Sequence, residues 1–287
     1  QLTKLIKKLL ENTMMRVCTV CLSEFKKVVD DDVYYCFDCD HYQYFRNDTS
    51  NKYDHPKLSQ ALVSLREKQS KLIVNELSKL LSSNLNSLTA IEVGAGKGYL
   101  IKEVKKKITK CYALDVDETY KNELESLGVE FKLGNLDNKN NFEDVDIVFG
   151  SHVFEHLVEP SQFLSDLDLP NIKFVVLFIP NSKGLIFLFG RFLNKIRVSL
   201  LWDRLFQKHS NSPHYHYFSE KRFKKFVEKN NFKLVSSLNL NMVNYIPNFK
   251  RVNATESLII SIISSIFLSF LEILNRVFNI CDSKAYF

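Results

Sequence analysis

Residues 88–101 read Leu-Thr-Ala-Ile-Glu-Val-Gly-Ala-Gly-Lys-Gly-Tyr-Leu-Ile, and residues 111–117 read Cys-Tyr-Ala-Leu-Asp-Val-Asp. In the first stretch, a β-prone run leads into three closely spaced glycines, and apolar residues at helical spacing follow. The second stretch is a β-prone run that ends in an acid, Asp115. Strand, glycine turn, helix, strand and acid are typical of the first unit of a doubly wound parallel sheet, where the acid suits a ribose diol. The predicted fold class is therefore α/β.

The spacing of the glycines discriminates between nucleotide ligands. A dinucleotide fingerprint reads G-x-G-x-x-G and places a pyrophosphate at the helix N-terminus. Here Gly94, Gly96 and Gly98 lie two residues apart, and Glu92 precedes them. An acid is unfavourable beside a pyrophosphate, but it suits the cationic methionyl end of S-adenosylmethionine. The spacing therefore favours S-adenosylmethionine over a dinucleotide; an ordinary turn in a sheet that binds no nucleotide is the alternative.

Two C-x-x-C pairs near the N-terminus predict a metal site. Fourteen residues separate the first pair from the second, and a hairpin around the acidic turn at residues 30–32 would bring them together. This arrangement is typical of one closed, structural four-cysteine zinc site. Coincidental pairs, or disulfides in a secreted protein, are the alternatives. His41 is a spare ligand candidate that we expect at the surface. The predicted ligands are Cys18, Cys21, Cys36 and Cys39.

The remaining pattern alternates strands with helices, which predicts a parallel sheet covered on both faces. Further strands are expected at residues 129–133, 145–149 and 172–179, and helices at 2–11, 57–82, 120–127, 161–168 and 219–229, the last capped by Ser219. We predict three units, with a boundary near Asn51. They are a zinc module with an N-terminal helix at residues 1–50, the α/β domain at 51–240 with an insertion covering the substrate at 184–218, and an apolar helical extension at 241–287.

Charge is distributed unevenly along the 287 residues, whose formal net charge is +6. Residues 13–45 carry six acids and three bases, whereas residues 191–225 carry nine bases and two acids. The basic second half favours an anionic partner or acceptor, and a solvated basic face is the alternative. The acidic zinc module is poorly suited to a phosphate backbone, which argues against nucleic acid as a partner.

The most apolar helix is predicted at residues 258–280. Its serines, Glu272 and Arg276 argue against a transmembrane span. We expect it to pack on the core or on another subunit, with a membrane-surface helix as the alternative. Leu2–Leu10 is too short and too rich in lysine for a secretory signal, which predicts a cytoplasmic protein, with membrane association through residues 258–280 left open.

The glycine loop, Asp115 and the stretch at residues 152–160, His-Val-Phe-Glu-His-Leu-Val-Glu-Pro, resemble class I S-adenosylmethionine-dependent methyltransferases. The resemblance implies a Rossmann-like sheet and covers residues 16–235. Together with the cysteine pairs, it is similar to a subgroup found among sugar, glycan and natural-product pathways. It implies that S-adenosylmethionine is held by the following residues: Glu92, Gly94, Gly96, Gly98, Asp115, Asn135, Leu136 and Ser151.

The catalytic candidates are histidines and one acid. His152, Glu155 and His156 follow the fourth strand of the predicted sheet, and His214 belongs to the second lobe. Sugar C-methyltransferases have E-H-x-x-Y-F-S where this chain has Pro213 before the histidine, so the resemblance supports His214 but not C-methylation. We expect residues 189–217 to close over the methyl end of the cofactor with His214 as general base, and His156 to support its loop.

The acceptor predicted from the sequence is a small anionic molecule, such as a nucleotide-linked sugar or a glycan or natural-product intermediate. An RNA methyltransferase with a zinc knuckle is one alternative, although such knuckles tend to end in C-x-x-x-H. A lipid-directed enzyme, or a non-catalytic partner held by the C-terminal helix, is another.

Overall fold

The computed structural model describes residues 17–25, 27–46, 60–81, 85–136, 138–240 and 280–287, together with residues 266, 269, 270, 273–275, 277 and 278. The helix predicted at residues 2–11 and the boundary predicted near Asn51 lie outside these ranges.

The strands and helices alternate as the sequence predicts. In chain order the strands are β1 (Lys27–Val28), β2 (Val33–Cys36), β3 (His41–Tyr44), β4 (Thr89–Val93), β5 (Lys110–Asp115), β6 (Glu130–Leu133), β7 (Ile147–Ser151), β8 (Phe174–Pro180), β9 (His216–Phe218), β10 (Ser237–Leu240) and β11 (Ser283–Tyr286). The α-helices are α1 (Gln60–Leu81), α2 (Tyr99–Val104), α3 (Lys121–Ser126), α4 (Pro160–Asp166), α5 (Leu185–Lys195), α6 (Leu200–Leu205) and α7 (Glu220–Lys229). Ser219 precedes α7 as predicted, but its hydroxyl donates to Asp40 Oδ2 at 3.0 Å instead of capping the helix.

Seven strands form the central sheet in the order β10-β11-β8-β7-β4-β5-β6. The five strands from β4 to β8 are parallel, and Val93 at the end of β4 lies opposite Leu114 of β5 and Gly150 of β7. The carboxyl ends of β4, β5 and β7 therefore meet at one edge of the sheet. Ligands of open α/β sheets bind at this edge, so the register brings the glycine loop, Asp115 and Ser151 together.

Apolar side chains cover both faces of this sheet, which explains its stability. Alternate residues of each strand point to opposite faces, so Val93 and Leu114 belong to one cluster, whereas Ala113 and Phe149 belong to the other. All five residues of β4 are buried. The parallel α/β architecture predicted from the sequence is confirmed.

The C-terminal segment corrects the predicted domain boundary. Ser283–Tyr286 forms β11, which pairs antiparallel with β8 on one side and with β10 on the other. The backbone of Phe287 extends this contact, because its carbonyl accepts from the amide of Val235 at 2.7 Å. The α/β domain therefore does not end at residue 240, since its sheet is completed by residues that the sequence analysis placed in a helical extension.

The cysteine-bearing hairpin is joined to the rest of the chain by a second sheet. Its four strands follow the order β1-β2-β3-β9, and Tyr42 of β3 lies opposite Tyr217 of β9. An aromatic cluster including Tyr42, Phe187 and Trp202 lies behind this sheet, where Trp202 is fully buried. The segment predicted as a separate zinc module thus shares backbone hydrogen bonds and a core with the predicted insertion.

Acids of the cysteine-bearing hairpin form hydrogen bonds and ion pairs with cations of the second half of the chain. Asp30 Oδ2 accepts from Trp202 Nε1 at 2.7 Å and from Lys208 Nζ at 2.8 Å. Asp40 pairs with Lys183 Nζ at 3.4 Å, and the carbonyl of Asp38 accepts from Arg222 at 3.2 Å. Cations of the second half therefore fix the hairpin in place, so they are not all available to an anionic ligand.

The predicted helix at residues 258–280 is described only in part. Residues 266, 269, 270, 273–275 and 277 are helical. Ile266, Phe270, Ile273 and Val277 expose 53–70% of their surface, so the packing expected for this face is not made within the described part of the chain. Within the described ranges, every helix falls short of the length and apolar character needed to span a bilayer. A contact with another subunit and the cytoplasmic location stay predictions.

Candidate active site

The glycine loop after β4 is built on left-handed backbone. Gly94, Gly96 and Gly98 have φ angles of +58°, +48° and +69°, a region that side chains other than glycine seldom adopt. A Cβ atom on Gly94 would lie 2.4 Å from Cγ2 of Val153, and one on Gly98 would lie 2.3 Å from Leu124. Gly98 therefore lets α2 pack against α3, whereas Gly94 lets the loop approach the segment after β7.

Two acids accept hydrogen bonds from backbone amides of this loop and of the helix that follows it. Glu92 is 3% exposed, and its Oε2 accepts from the amide of Ile101 at 2.8 Å. Asp115 Oδ2 accepts from the amide of Gly96 at 2.7 Å, and its Oδ1 accepts from the amide of Asp117 at 3.1 Å. Each oxygen of Asp115 retains a lone pair, so this carboxylate both fixes the loop and can accept from a ligand hydroxyl.

Burial raises the pKa of Glu92 to about 8, and the negative charge of Asp115 adds to this effect. The ordinary value is 4.5, so between these two pH values the folded protein binds a proton that the unfolded chain has lost. The free energy of unfolding therefore falls as pH rises from 4.5 to 8.

The Glu92→Gln variant should abolish this loss, because glutamine can accept from the same amide without ionising. Above pH 8 its free energy of unfolding should exceed that of the wild type by a few kcal/mol, on the order of 1.4 kcal/mol per unit of pKa shift. The difference should shrink as pH is lowered toward 4.5. Chemical denaturation across this pH range measures both; a variant that is less stable than wild type above pH 8 would show that the carboxylate is charged and well solvated.

A cavity of about 410 Å³ lies beside the glycine loop. Its floor includes Glu92, Gly94 and Gly96, and Ser151 and His152 border it at the end of β7. Helix α1 and nearby aromatic residues form the rest of the wall, through Val63, Arg66, Gln69, Ser70, Ile73, Tyr99, Tyr120 and Phe178. Four of the eight predicted cofactor residues, namely Glu92, Gly94, Gly96 and Ser151, thus face a helical wall that was not predicted as part of the site.

His152 has unusual backbone and side-chain geometry. Its φ angle is +57°, and its amide donates to the carbonyl of Phe178 at 3.0 Å, which holds the left-handed turn. Its Nδ1 lies 3.2 Å from Glu155 Oε1, whereas its buried Nε2 has no hydrogen-bond partner among the described residues. A strained residue with an unsatisfied ring nitrogen at a cavity is a feature of functional sites.

Burial shapes the ionisation of this pair. The pKa of His152 lies well below 6.5, first because the ring is buried and then because of the positive charge of Arg66. Burial raises the pKa of Glu155 to about 8. The imidazole is therefore neutral at neutral pH and can accept a proton.

The other two candidate histidines do not line the cavity, although ligand atoms of both lie within 4.8 Å of Glu155. His214 Nε2 lies 2.8 Å from Gln207 Nε2, and its Nδ1 lies 3.0 Å from the hydroxyl of Tyr217. His156 Nδ1 donates to the carbonyl of Pro213 at 2.9 Å. Burial lowers the pKa of both rings, that of His156 to about 4. Residues 152–156 and the segment around residue 214 are thus fastened together, but neither His156 nor His214 is among the residues that line the cavity.

Among the other predicted cofactor residues, Asn135 and Leu136 follow β6 beside Asp115. The amide of Gly134 donates to the carbonyl of Asp115 at 2.9 Å, which places this turn next to the end of β5. Asn135 and Leu136 do not line the cavity at residues 92–96, and neither do Gly98 and Asp115. The assignment of Asn135 and Leu136 to the adenine stays a prediction.

The four cysteines of the two C-x-x-C pairs converge. Their Sγ atoms all lie within 4.8 Å of one another, with 3.5 Å between Cys18 and Cys39 and 3.4 Å between Cys21 and Cys36. The residue after each pair is left-handed, with φ angles of +64° at Leu22 and +44° at Asp40. The two pairs therefore form turns of similar shape. A hydrogen bond with Cys39, followed by the effect of His41, lowers the pKa of Cys18 to about 3.

The prediction that His41 lies at the surface is wrong. This histidine is fully buried, with Nδ1 3.6 Å from Cys18 Sγ and Nε2 2.9 Å from Nδ1 of His216. It packs between the cysteine cluster and β9 because β3 pairs with β9, a contact between residues 175 positions apart that sequence spacing does not reveal.

Arg66 and Gln69 of α1 line the cavity but were not predicted as site residues. With Ser70 and Ile73 they follow the spacing i, i+3, i+4, i+7, so they share one helix face. A helix packed only against a core carries apolar residues on that face. Three polar residues on it were the signal that this part of α1 borders a site.

The sequence of residues 65–237 matches a family described as a methyltransferase domain. The match covers more than half of the chain, so the protein belongs to this family. It is an enzyme, and its fold is that of the class I S-adenosylmethionine-dependent methyltransferases. The chain matches no curated protein at a significant level.

Several solved structures are similar to this chain. A methyltransferase from Thermotoga maritima is 13% identical, with 64% of this chain and 78% of that chain covered and a TM-score of 0.44. Magnesium protoporphyrin IX methyltransferase from Synechocystis PCC 6803, with bound S-adenosylhomocysteine, is 17% identical over 66% of this chain and 85% of that chain, at a TM-score of 0.46. A methyltransferase from Archaeoglobus fulgidus is 16% identical over 75% of this chain and 92% of that chain, at a TM-score of 0.43.

Proposed function

We propose that the protein transfers a methyl group from S-adenosylmethionine to a small anionic acceptor of the class of nucleotide-linked sugars or glycan and natural-product intermediates, with His152 as general base. One observation carries this proposal. Of the three candidate histidines, only His152 lines the cavity beside the glycine loop, and its Nε2 is unsatisfied among the described residues.

The residues around the glycine loop fit S-adenosylmethionine. Glu92 lies under the loop, where a cationic group nearby would stabilise its charged form. The left-handed glycines leave the backbone open to close approach. Asp115 would accept from ribose hydroxyls, and Asn135 and Leu136 would contact the adenine. When bound, the cofactor supplies an electrophilic methyl group on a sulfonium, whose positive charge disappears on transfer.

Replacing Asp115 with asparagine should weaken S-adenosylmethionine binding about 10- to 100-fold, the range expected when a hydrogen bond to a charged group is lost. Asparagine can still accept from the amide of Gly96 through its carbonyl oxygen, so the glycine loop should keep its shape. The variant loses the negative charge and the second oxygen, which accepts from the amide of Asp117 and would accept from the ribose. Isothermal titration calorimetry with wild type and variant measures the change.

The matched control is Asp144→Asn, since Asp144 is an exposed acid before β7, at the opposite edge of the sheet. It should bind the cofactor as tightly as wild type. Tight binding of NAD by the wild type, with none of S-adenosylmethionine, would contradict the interpretation of the glycine spacing.

His152 can take the proton of an attacking hydroxyl. We assign the tautomer in which Nδ1–H donates to Glu155, so that the lone pair of Nε2 is left for the proton. The imidazolium then gains the charge that the sulfonium loses, and the net charge of the cavity stays constant. His214 is less suited to this role, because both of its nitrogens already lie within hydrogen-bond distance of Gln207 and Tyr217.

The cavity supports a small acceptor. Its volume of about 410 Å³ lies in the range of small-molecule sites. Arg66 contributes a positive charge to its wall, and its guanidinium lies 6.0 Å from the ring centroid of Phe178. A guanidinium suits phosphate and carboxylate groups.

The assay that tests the acceptor class measures S-adenosylhomocysteine formed with a panel of nucleotide-linked sugars. Turnover on this panel is the expected result. Activity on ribosomal RNA fragments with none on the panel would overturn the small-molecule proposal and leave cofactor binding intact.

The cysteine cluster fits a structural zinc ion. Zn–S bonds of about 2.3 Å in a tetrahedron place sulfurs roughly 3.8 Å apart, and the two closest sulfur pairs lie at 3.4 and 3.5 Å. With four thiolates the coordination shell is closed, so the role that we propose for the metal is to hold the hairpin on β9.

A further inference from the structure

The turn between α5 and α6 is exposed to solvent. Residues 195–200 are all exposed, and the chain turns at Arg197, which has a φ angle of +63°. The two helices pack closely behind this turn, because Gly190 has no side chain and a Cβ atom there would lie 2.6 Å from Leu205. Phe187 and Trp202 fix the helices in the aromatic cluster. We call residues 192–200 the tip.

The side chains of the tip are apolar and solvent-exposed. Phe192 is 57% exposed, Ile196 56%, Val198 48% and Leu200 81%. Single exposed apolar residues are ordinary, but four exposed apolar residues within nine positions form a patch that indicates an interaction site.

Cations accompany these apolar residues. Within residues 192–200 the sequence contains two cations, Lys195 and Arg197, and no acid. Lys195 and Arg197 are exposed within the tip itself. Apolar side chains interleaved with cations are the pattern of segments that lie in the interface of anionic membranes.

A second exposed apolar stripe occurs in the C-terminal helical region. Ile266, Phe270, Ile273 and Val277 follow the spacing i, i+4, i+7, i+11 of one helix face, and all are more than half exposed. The end of this region is joined to the start of α5, because Asp282 Oδ1 accepts from the amide of Ile186 at 2.9 Å and Oδ2 accepts from Asn275 at 2.7 Å. The tip lies at the other end of α5, so this stripe is a separate exposed apolar face of the kind that lipid covers.

We propose that the tip inserts into the headgroup region of a bilayer containing anionic lipid. Charge favours this occupant over a second copy of the chain, since two tips in a symmetric contact would bring like charges together. The inference is independent of the acceptor proposed above. It assigns the enzyme a membrane-surface contact through residues of the predicted substrate-covering insertion.

Vesicle co-sedimentation of the full chain tests this inference. Wild type should bind phosphatidylcholine vesicles that contain phosphatidylglycerol more tightly than vesicles of phosphatidylcholine alone. The triple variant Ile196→Ser/Val198→Ser/Leu200→Ser should lose at least about tenfold in vesicle affinity, because it removes apolar groups that enter the interface. Lys195→Glu should weaken binding by about tenfold on anionic vesicles, since each charge near such a surface contributes measurably.

Matched controls replace residues of similar exposure elsewhere. Val28→Ser/Leu127→Ser/Val235→Ser and Lys107→Glu should bind vesicles like wild type, and thermal melting confirms that all variants fold. Failure of wild type to bind either kind of vesicle would overturn the proposal. So would equal binding by the tip and control variants, which would assign the contact to the C-terminal stripe. Dissociation of a dimer by the tip variant, without any lipid binding, would identify a second copy as the occupant.

Discussion

The His152→Asn variant should lose about two to four powers of ten in kcat, the usual contribution of a general base, while its Kd for S-adenosylmethionine stays close to wild type. Asparagine tolerates the left-handed backbone at this position, so the turn after β7 should survive. It lacks a group that takes a proton at neutral pH. Steady-state kinetics with an active nucleotide-linked sugar, together with calorimetry for the cofactor, measure the two quantities separately.

The matched control is His214→Asn. It should destabilise the fold, because Gln207 loses a partner and the hydroxyl of Tyr217 keeps only the carbonyl of Leu205. Turnover per folded molecule should change little. The reverse pattern, with full activity in His152→Asn and a large loss in His214→Asn, would restore His214 as the base and contradict our assignment.

The pH profile gives an independent measurement of the same base. Because burial and Arg66 lower the pKa of His152, the wild-type kcat/KM should decline only as pH falls well below 6.5. Arg66→Gln removes one cause of the lowering, so the acid limb should move to higher pH. A limb that stays in place in this variant would show that another group controls it.

The fold was predictable where local pattern and tertiary structure agree. The apolar runs around residues 90–93 and 172–179 predicted strands because a parallel sheet buries both faces of each strand. The strand at Ser283–Tyr286 gave no such signal, since Ser-Lys-Ala-Tyr lacks an apolar run and its partners lie more than forty residues away. Its position between β8 and β10 is a tertiary property that local spacing does not encode.

The site was predictable to the same extent. Gly94, Gly96 and His152 follow strands of the sheet directly, so the rule that ligands bind at the carboxyl edge placed them correctly beside the cavity. Arg66 comes from a helix before the sheet, and only the packing of α1 brings it to the cavity. His214 was assigned by resemblance and position along the chain, which do not determine the direction of a side chain.

The charge pattern of the sequence also contained information about a contact between two distant segments. The acids of the hairpin and the bases of the second half were interpreted separately, although Asp30 and Lys208 form an ion pair at 2.8 Å. Such a pair joins residues 178 positions apart. Opposite charge excesses in two segments of one chain therefore predict a contact between the segments as well as a contact with ligands.

Removing zinc should lower the melting temperature by about 10 °C or more, since a structural zinc site contributes several kcal/mol or more to folding. Metal analysis of freshly reduced wild type should give about one zinc per chain, and Cys18→Ser should bind far less. A chelator should lower the melting temperature of wild type but change that of Cys18→Ser little, because the variant has already lost the metal. Cys111→Ala is the control, since Cys111 is a buried cysteine outside the cluster.

The structure predicts how this destabilisation spreads. The hairpin contacts β9 through β3, and β9 follows Tyr215, whose amide donates to the carbonyl of Glu155 at 2.7 Å. Loss of zinc should therefore loosen the segment that supports His152 and Glu155 and reduce turnover. The glycine loop belongs to the other sheet, so cofactor affinity should hold at temperatures where the variant is folded. A structural metal would be contradicted if wild-type protein contained no zinc, or if Cys18→Ser and Cys111→Ala had equal melting temperatures. Parallel losses of turnover and cofactor affinity would show that the hairpin supports the whole domain.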